Sequence, residues 1–262
     1  MDINLAGRTA VVTGGSKGIG LEVVRRLAAS GAQVFTGARS RSPEIEALTQ
    51  DKQVTFVEVD LAGPDGPAQL VATAGDRAGR VDILVNNVGS ARARPGGFLS
   101  ITEDDWAASL TLNLMAAVRA TRAALPGMLA AGAGAIVITC SVNARLPDPA
   151  VLDYSVAKAG LAGFAKSLSK EVGPRGVRVN TVSPGPVATD LWLGSGGVAE
   201  TVSQATGAKP GDVEGQAAAD SVTGRFSQPA EVADLILYLA SDRAANITGS
   251  DFVIDGGLIP TL

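Results

Sequence analysis

Seven short runs of apolar, largely β-branched residues alternate along the chain with longer segments of helical spacing. The runs are Thr9 to Thr13, Ala32 to Thr36, Val54 to Val59, Asp82 to Val85, Ala135 to Thr139, Val177 to Val182 and Asp251 to Ile254. Helical periodicity is clearest over Asp104 to Leu129, Tyr154 to Val172 and Ala230 to Ser241. Strands that are apolar along their whole length need cover on both faces, and consecutive parallel strands need a crossover that a helix supplies. The alternation therefore predicts an α/β fold, a doubly wound parallel sheet with helices on both faces. No internal repeat or linker divides the 262 residues, so one domain is expected over 1–262, and 46% hydrophobic residues are enough for its core.

Composition then narrows the chemistry. A net charge of −4 with no run of Lys or Arg gives no electrostatic footprint for nucleic acid or an anionic membrane surface. The longest apolar run, Ala130 to Cys140, is too short to span a bilayer, and Met1 to Thr9 has no signal-peptide core. No membrane association is expected, and a small molecule is the expected partner. Cys140 is the only cysteine, which rules out an intrachain disulfide and suits a cytoplasmic location. There is no histidine, so a Ser-His-Asp triad and His-ligated zinc are excluded and no metal is expected. Proton transfer must fall to Tyr, Lys or carboxylates, and the only tyrosines are Tyr154 and Tyr238.

Three stretches carry functional signal. Thr13-Gly14-Gly15-Ser16-Lys17-Gly18-Ile19-Gly20 joins the first strand to the first helix, where free N–H groups at a helix N-terminus can seat a pyrophosphate. Gly14 permits a tight turn, Gly18 a close backbone approach, and Gly20 close packing of helix on strand. Tyr154 and Lys158 lie four residues apart on one helix face, the spacing of an acid and its tuner, or of a half-buried ring beside a solvated charge. Thr189 to about Asp220 is rich in Gly, Ala, Ser and Thr, has weak periodicity and contains Trp192. A long irregular segment of this kind is either a lid over a ligand or an ordinary surface insertion.

Taken together, these motifs resemble those of the short-chain dehydrogenase/reductase family, whose coenzyme motif is T-G-x-x-x-G-x-G, and the likeness extends over essentially the whole chain. Asn86-Asn87-Val88-Gly89 is similar to the family's N-N-A-G element, with Val88 in place of Ala. Asn113 in Leu112-Asn113-Leu114, Ser141 after the fifth strand, Tyr154 and Lys158, Pro184-Gly185, and Ile247-Thr248-Gly249 through Asp255-Gly256-Gly257 also fit.

The resemblance implies a Rossmann-type fold and hydride transfer between a nicotinamide cofactor and a ketone or alcohol. In it Tyr154 is the general acid and base, and Lys158 holds the nicotinamide ribose. A phenol ordinarily titrates near ~10, so work near neutrality asks for adjacent positive charge, which Lys158 and an oxidised nicotinamide supply. Ser141 is expected to grip the carbonyl oxygen. Asn113 is expected to hold a relay water to Lys158; a helix-interior amide satisfying nearby backbone is the other reading. The implied cofactor site comprises Gly14, Ser16, Lys17, Gly18, Ile19 and Gly20 of the turn, Asp60 and Leu61 after the third strand, Asn87 and Gly89, Tyr154 and Lys158, and Pro184, Gly185, Val187 and Thr189. The substrate would meet Ser141, Asn143, Tyr154 and Trp192.

Cofactor choice has a physical basis. NAD binders place a carboxylate at the end of the second strand for the ribose 2′-OH. Here that position reads Ala38-Arg39-Ser40, without a carboxylate, and Arg39 can pair with a 2′-phosphate. Lys17 adds a second cation, matching NADP-preferring family members; solvated loop charges at Arg39 and Arg41 are the alternative. The expected activity is an NADP(H)-dependent ketone reductase, the alternatives being a physiological alcohol dehydrogenase and a non-catalytic NADP-binding regulator. Small residues on two long helices, including Ala107, Ala108, Ala116, Ala117, Ala159, Gly160, Ala162 and Gly163, agree with the family's habit of pairing these helices, and a homotetramer is expected.

Overall fold

The computed structural model describes residues 3–261; Met1, Asp2 and Leu262, which fall within the expected domain span, lie outside the described residues. All seven expected strands form: β1 Thr9–Thr13, β2 Gln33–Ala38, β3 Val54–Glu58, β4 Ile83–Asn86, β5 Gly134–Thr139, β6 Val177–Pro184 and β7 Asp251–Ile254. They make one parallel sheet in the order β3-β2-β1-β4-β5-β6-β7. The chain winds outward from β1 through β2 to β3, then crosses back to β4 and winds the other way. Residues at the C-terminal ends of β1 and β4 therefore face a crevice where the winding reverses, the usual ligand position in such sheets.

The helices are α1 Gly18–Ala29, α2 Pro43–Leu48, α3 Gly66–Ala78, α4 Glu103–Leu110, α5 Ala116–Ala131, α6 Leu152–Val172, α7 Asp190–Leu193, α8 Val198–Thr206, α9 Pro210–Ala219 and α10 Pro229–Ala240. Alternate side chains of each central strand feed two cores. On one face Ala10 and Val12 pack with Leu27 of α1 and Ile236 of α10. On the other, Val11 and Leu84 pack with Leu70 of α3, Met128 of α5 and Leu161 of α6. Covering both faces is what allows β1 to be buried at all five positions.

Three expectations need correction. The single helix expected over Asp104 to Leu129 is two helices separated by a π-helical turn at Thr111–Met115. Asn113 supplies the reason: its Nδ2 donates to the Ser109 carbonyl at 3.1 Å, the acceptor that an α-helical Asn113 N–H would use. The stretch from Thr189 to Asp220 is helical, forming α7, α8 and α9 rather than an irregular loop. Its periodicity is weak because α9 buries no residue, so no apolar stripe is required; Pro210 at its start and its alanines favour the helix instead. Finally, Ala116 and Ala117 point into the core, whereas Ala107, Ala108, Ala159, Gly160 and Gly163 are exposed.

Candidate functional site

A cleft of about 1250 Å³ runs across the C-terminal edge of the sheet. It is lined by every expected site residue except Asn113: Gly14, Ser16, Lys17, Gly18, Ile19, Gly20, Arg39, Asp60, Leu61, Asn87, Gly89, Ser141, Asn143, Tyr154, Lys158, Pro184, Gly185, Val187, Thr189 and Trp192.

The glycine turn has the features a pyrophosphate needs. Gly14 has φ of +72° and Gly18 of +57°, conformations that L side chains resist. A Cβ on Gly20 would lie 2.2 Å from the Gly14 carbonyl oxygen and 2.5 Å from Asn87 Nδ2, so only glycine lets α1 seat this closely. Asn87 locks the turn from the neighbouring strand, its Nδ2 donating to the carbonyls of Thr13 and Gly14 at 3.2 Å each. The N-terminus of α1 has no side-chain cap and no acidic residue in its first turn, which leaves its N–H groups and positive dipole end facing the cleft. The residues present thus fit a dinucleotide.

At the other end of the cleft α6 presents Tyr154 and Lys158. Lys158 is 3% exposed; its ammonium donates to the Thr139 carbonyl at 2.9 Å and lies 5.5 Å from the centroid of the Tyr154 ring. This is a held charge one helical turn from the phenol, not the solvated lysine of the alternative reading. Ser141 follows β5; its hydroxyl donates to Asn143 Oδ1 and accepts from the Asn143 N–H, both at 3.1 Å. Asn113 sits behind the cleft. Its Oδ1 accepts from the Ser90 N–H and its Nδ2 donates to the Ser90 and Ser109 carbonyls, so it anchors backbone in the way the second reading described. A Cβ at Gly89 would fall 2.8 Å from Asn113 Oδ1 and 3.5 Å from Lys158 Nζ, so Gly89 keeps the space between them open. Burial pushes the Cys140 thiol up.

The structure adds a buried ion network that the sequence did not disclose. Arg94, in the loop after β4, donates from Nη2 and Nε to Asp153 at 2.6 and 3.3 Å and from Nη1 to Asp105 at 2.9 Å. Asp153 is 2% exposed and immediately precedes Tyr154. The network ties α4 and the β4 loop to the start of α6. Arg94→Ala would strand a buried carboxylate and is expected to lower unfolding free energy by about 3–5 kcal/mol, measured by urea denaturation. The Arg94 guanidinium and the Thr102 cap hold the Asp105 carboxyl below its ordinary range. This contribution is therefore complete above the usual carboxylate range and is lost as pH falls through and below it.

The cations divide clearly. Arg39 lines the cleft just past β2 and forms no ion pair among the described residues. Lys17 approaches Asp190 at 3.7 Å with both side chains about 70% exposed, a weak pair. Arg41 bonds Glu46 at 2.7 Å and covers the Phe56 ring, outside the cleft. Arg145 turns away to Asp251 at 3.0 Å. Trp192 meets Phe226 edge-on at 5.4 Å, and with Asp190 and Leu191 it places α7 in the cleft wall.

A sheet wound in two directions from its centre, with a glycine turn at the reversal, is the architecture of Rossmann-type dinucleotide-binding proteins. A family model described as Enoyl-(Acyl carrier protein) reductase matches residues 14–259. Oxidoreductase UcpA of Escherichia coli (strain K12) is 35% identical over 260 residues, covering 97% of this chain and 95% of that protein. Acetoacetyl-CoA reductase of Cupriavidus necator is 36% identical over 256 residues, covering 96% and 98%. The crystal structure of L-sorbose reductase from Gluconobacter frateurii, complexed with NADPH and L-sorbose, superposes with a TM-score of 0.90 at 32% identity, covering all of both chains. The chain belongs to the short-chain dehydrogenase/reductase family of oxidoreductases.

Proposed function

We propose that this protein is an NADPH-dependent ketone reductase in which Tyr154 is the proton donor. The observation that carries the reading is the Tyr154–Lys158 pair, with its ammonium fixed on Thr139, in the same cleft as the uncapped α1 terminus and Arg39. The glycine turn would seat the pyrophosphate, Arg39 the 2′-phosphate, Asp60 and Leu61 the adenine end, and Asn87, Gly89, Pro184, Gly185, Val187 and Thr189 the remainder. NADPH, when bound, supplies the hydride.

The chain's own groups do the rest. Ser141 Oγ can turn its hydrogen from Asn143 to a substrate carbonyl oxygen and hold it within reach of Tyr154 Oη, which gives up its proton as charge builds there. The positive charge of Lys158 favours the phenolate that results. Asn113 holds the backbone behind this site and keeps Oδ1 beside Gly89, with a second lone pair open to a relay water. Run backwards, the same groups oxidise an alcohol; a 2′-phosphate seat at Arg39 supports the reductive direction. Retention of Ser141, Tyr154 and Lys158 in one cleft favours an enzyme over a binding-only regulator. Loss of reduced-nicotinamide absorbance over a panel of ketones tests the reading: consumption with at least one ketone is expected, and NADPH binding without consumption would favour the regulator.

A homotetramer is proposed alongside. Its support is large apolar side chains left exposed on and around α4, α5 and α6: Phe98 and the 95% exposed Leu99 in the turn before α4, Met115 in the π-helical turn, and Val156 on α6. Sedimentation velocity should give four chains per particle; a monomer would contradict it. Among the described residues no helix is long and apolar enough to cross a membrane, and a single buried thiol fits the proposed cytoplasmic location.

A further inference from the structure

The cleft is one continuous space whose exposed cations, Lys17 and Arg39, share the glycine-turn end with Asp60 and Asp190, while among the described residues the rest of it carries only carboxylates as exposed charges. Its only basic lining residues, among those described, are Lys17 and Arg39 at the glycine-turn end and the buried Lys158. Beyond Ser141 and Tyr154 the walls are mainly apolar, with Val142, Leu146, Val151 and Trp192 among them. The carboxylates among these walls are Asp148, which lies between Leu146 and Val151 in sequence, and Asp212 and Asp220 on and just after α9. None of these three forms an ion pair among the described residues. Asp148 Oδ1 accepts only the Ala150 N–H, and Asp220 Oδ1 accepts from Gln216 Nε2 at 2.7 Å. Arg145, the one cation near Ser141 in sequence, is committed to Asp251.

Low-dielectric walls lined by one sign of charge focus potential into a cleft, and like charges brought together there cost affinity and slow entry. A ketone carried on a phosphate-bearing handle would bring its phosphates to this end, against three solvent-exposed carboxylates and, among the described residues, no exposed lining cation. We propose that the substrate is an uncharged ketone with an apolar body, and that Asp148, Asp212 and Asp220 discriminate against anionic or phosphate-linked acyl carriers. Discrimination of this kind acts by repelling the wrong partner while the apolar walls accept the right one. The inference rests on the ketone-reductase reading and narrows its substrate class.

The test compares ketones that share a reacting group and differ in charge, with NADPH consumption as readout at low ionic strength. Ethyl acetoacetate is set against acetoacetate, and the N-acetylcysteamine thioester of acetoacetate against acetoacetyl-CoA. Further neutral ketones are each paired with a carboxylate- or phosphate-bearing counterpart. The neutral member is expected to have kcat/KM roughly tenfold or more above the anionic one, with the gap narrowing on adding salt. The triple variant D148N/D212N/D220N should narrow it likewise. Anionic members used equally well or better would overturn the inference, as would a neutral preference that the triple variant leaves unchanged. No consumption with any member would overturn the reductase reading itself, and this inference with it.

Discussion

Tyr154→Phe is expected to lower turnover by roughly 10²–10⁴-fold, the range for loss of a positioned general acid, while NADPH affinity stays unchanged. The substitution removes one hydroxyl and keeps the ring. The Lys158 ammonium remains anchored on the Thr139 carbonyl at 2.9 Å, so the ribose contact proposed for it does not depend on the phenol. The glycine turn and Arg39 lie at the far end of the cleft and are untouched. Steady-state rates at saturating ketone, together with nicotinamide fluorescence on binding, separate the two effects. Retained turnover would remove Tyr154 from the acid role; lost NADPH binding would show that the ring acts structurally.

Arg39→Asp should reverse coenzyme preference. A hydrogen bond to a charged group contributes about 1.5–3 kcal/mol, so efficiency with NADPH is expected to fall roughly 10- to 100-fold. The new carboxylate past β2 also gives the NADH ribose 2′-OH an acceptor. Neither neighbouring cation can substitute. Arg41 is engaged by Glu46 and lies over Phe56, and Lys17 faces Asp190 across an exposed 3.7 Å gap. The measurement is the ratio of kcat/KM with NADPH to that with NADH; a ratio equal to the parent protein's would refute the assignment.

The strands were legible because the doubly covered sheet forces them to be apolar throughout: β1 and β4 are buried at every position and read as uninterrupted runs. The glycine turn was legible because steric demands at Gly14 and Gly20 admit almost nothing else. The break at Asn113 was not, because an amide that captures the Ser109 carbonyl leaves the apolar spacing intact while changing the hydrogen-bond ladder. Nor was α9, which lies on the surface, needs no apolar stripe, and so carries no periodic signal. The Arg94 network joins residues 11 and 59 positions apart, separations that no local pattern reports. The carboxylates Asp148, Asp212 and Asp220 were invisible for a related reason: residues more than sixty positions apart line one cleft only once the chain is folded.

Transfer of deuterium from NADPH carrying deuterium at both hydrogens of the nicotinamide C4 tests the central claim most directly. With a neutral ketone that the protein consumes, the account predicts one deuterium at the carbinol carbon of the alcohol for each NADPH oxidised, and essentially none formed by Tyr154→Phe. Unlabelled alcohol, or oxidation of NADPH without alcohol, would contradict it.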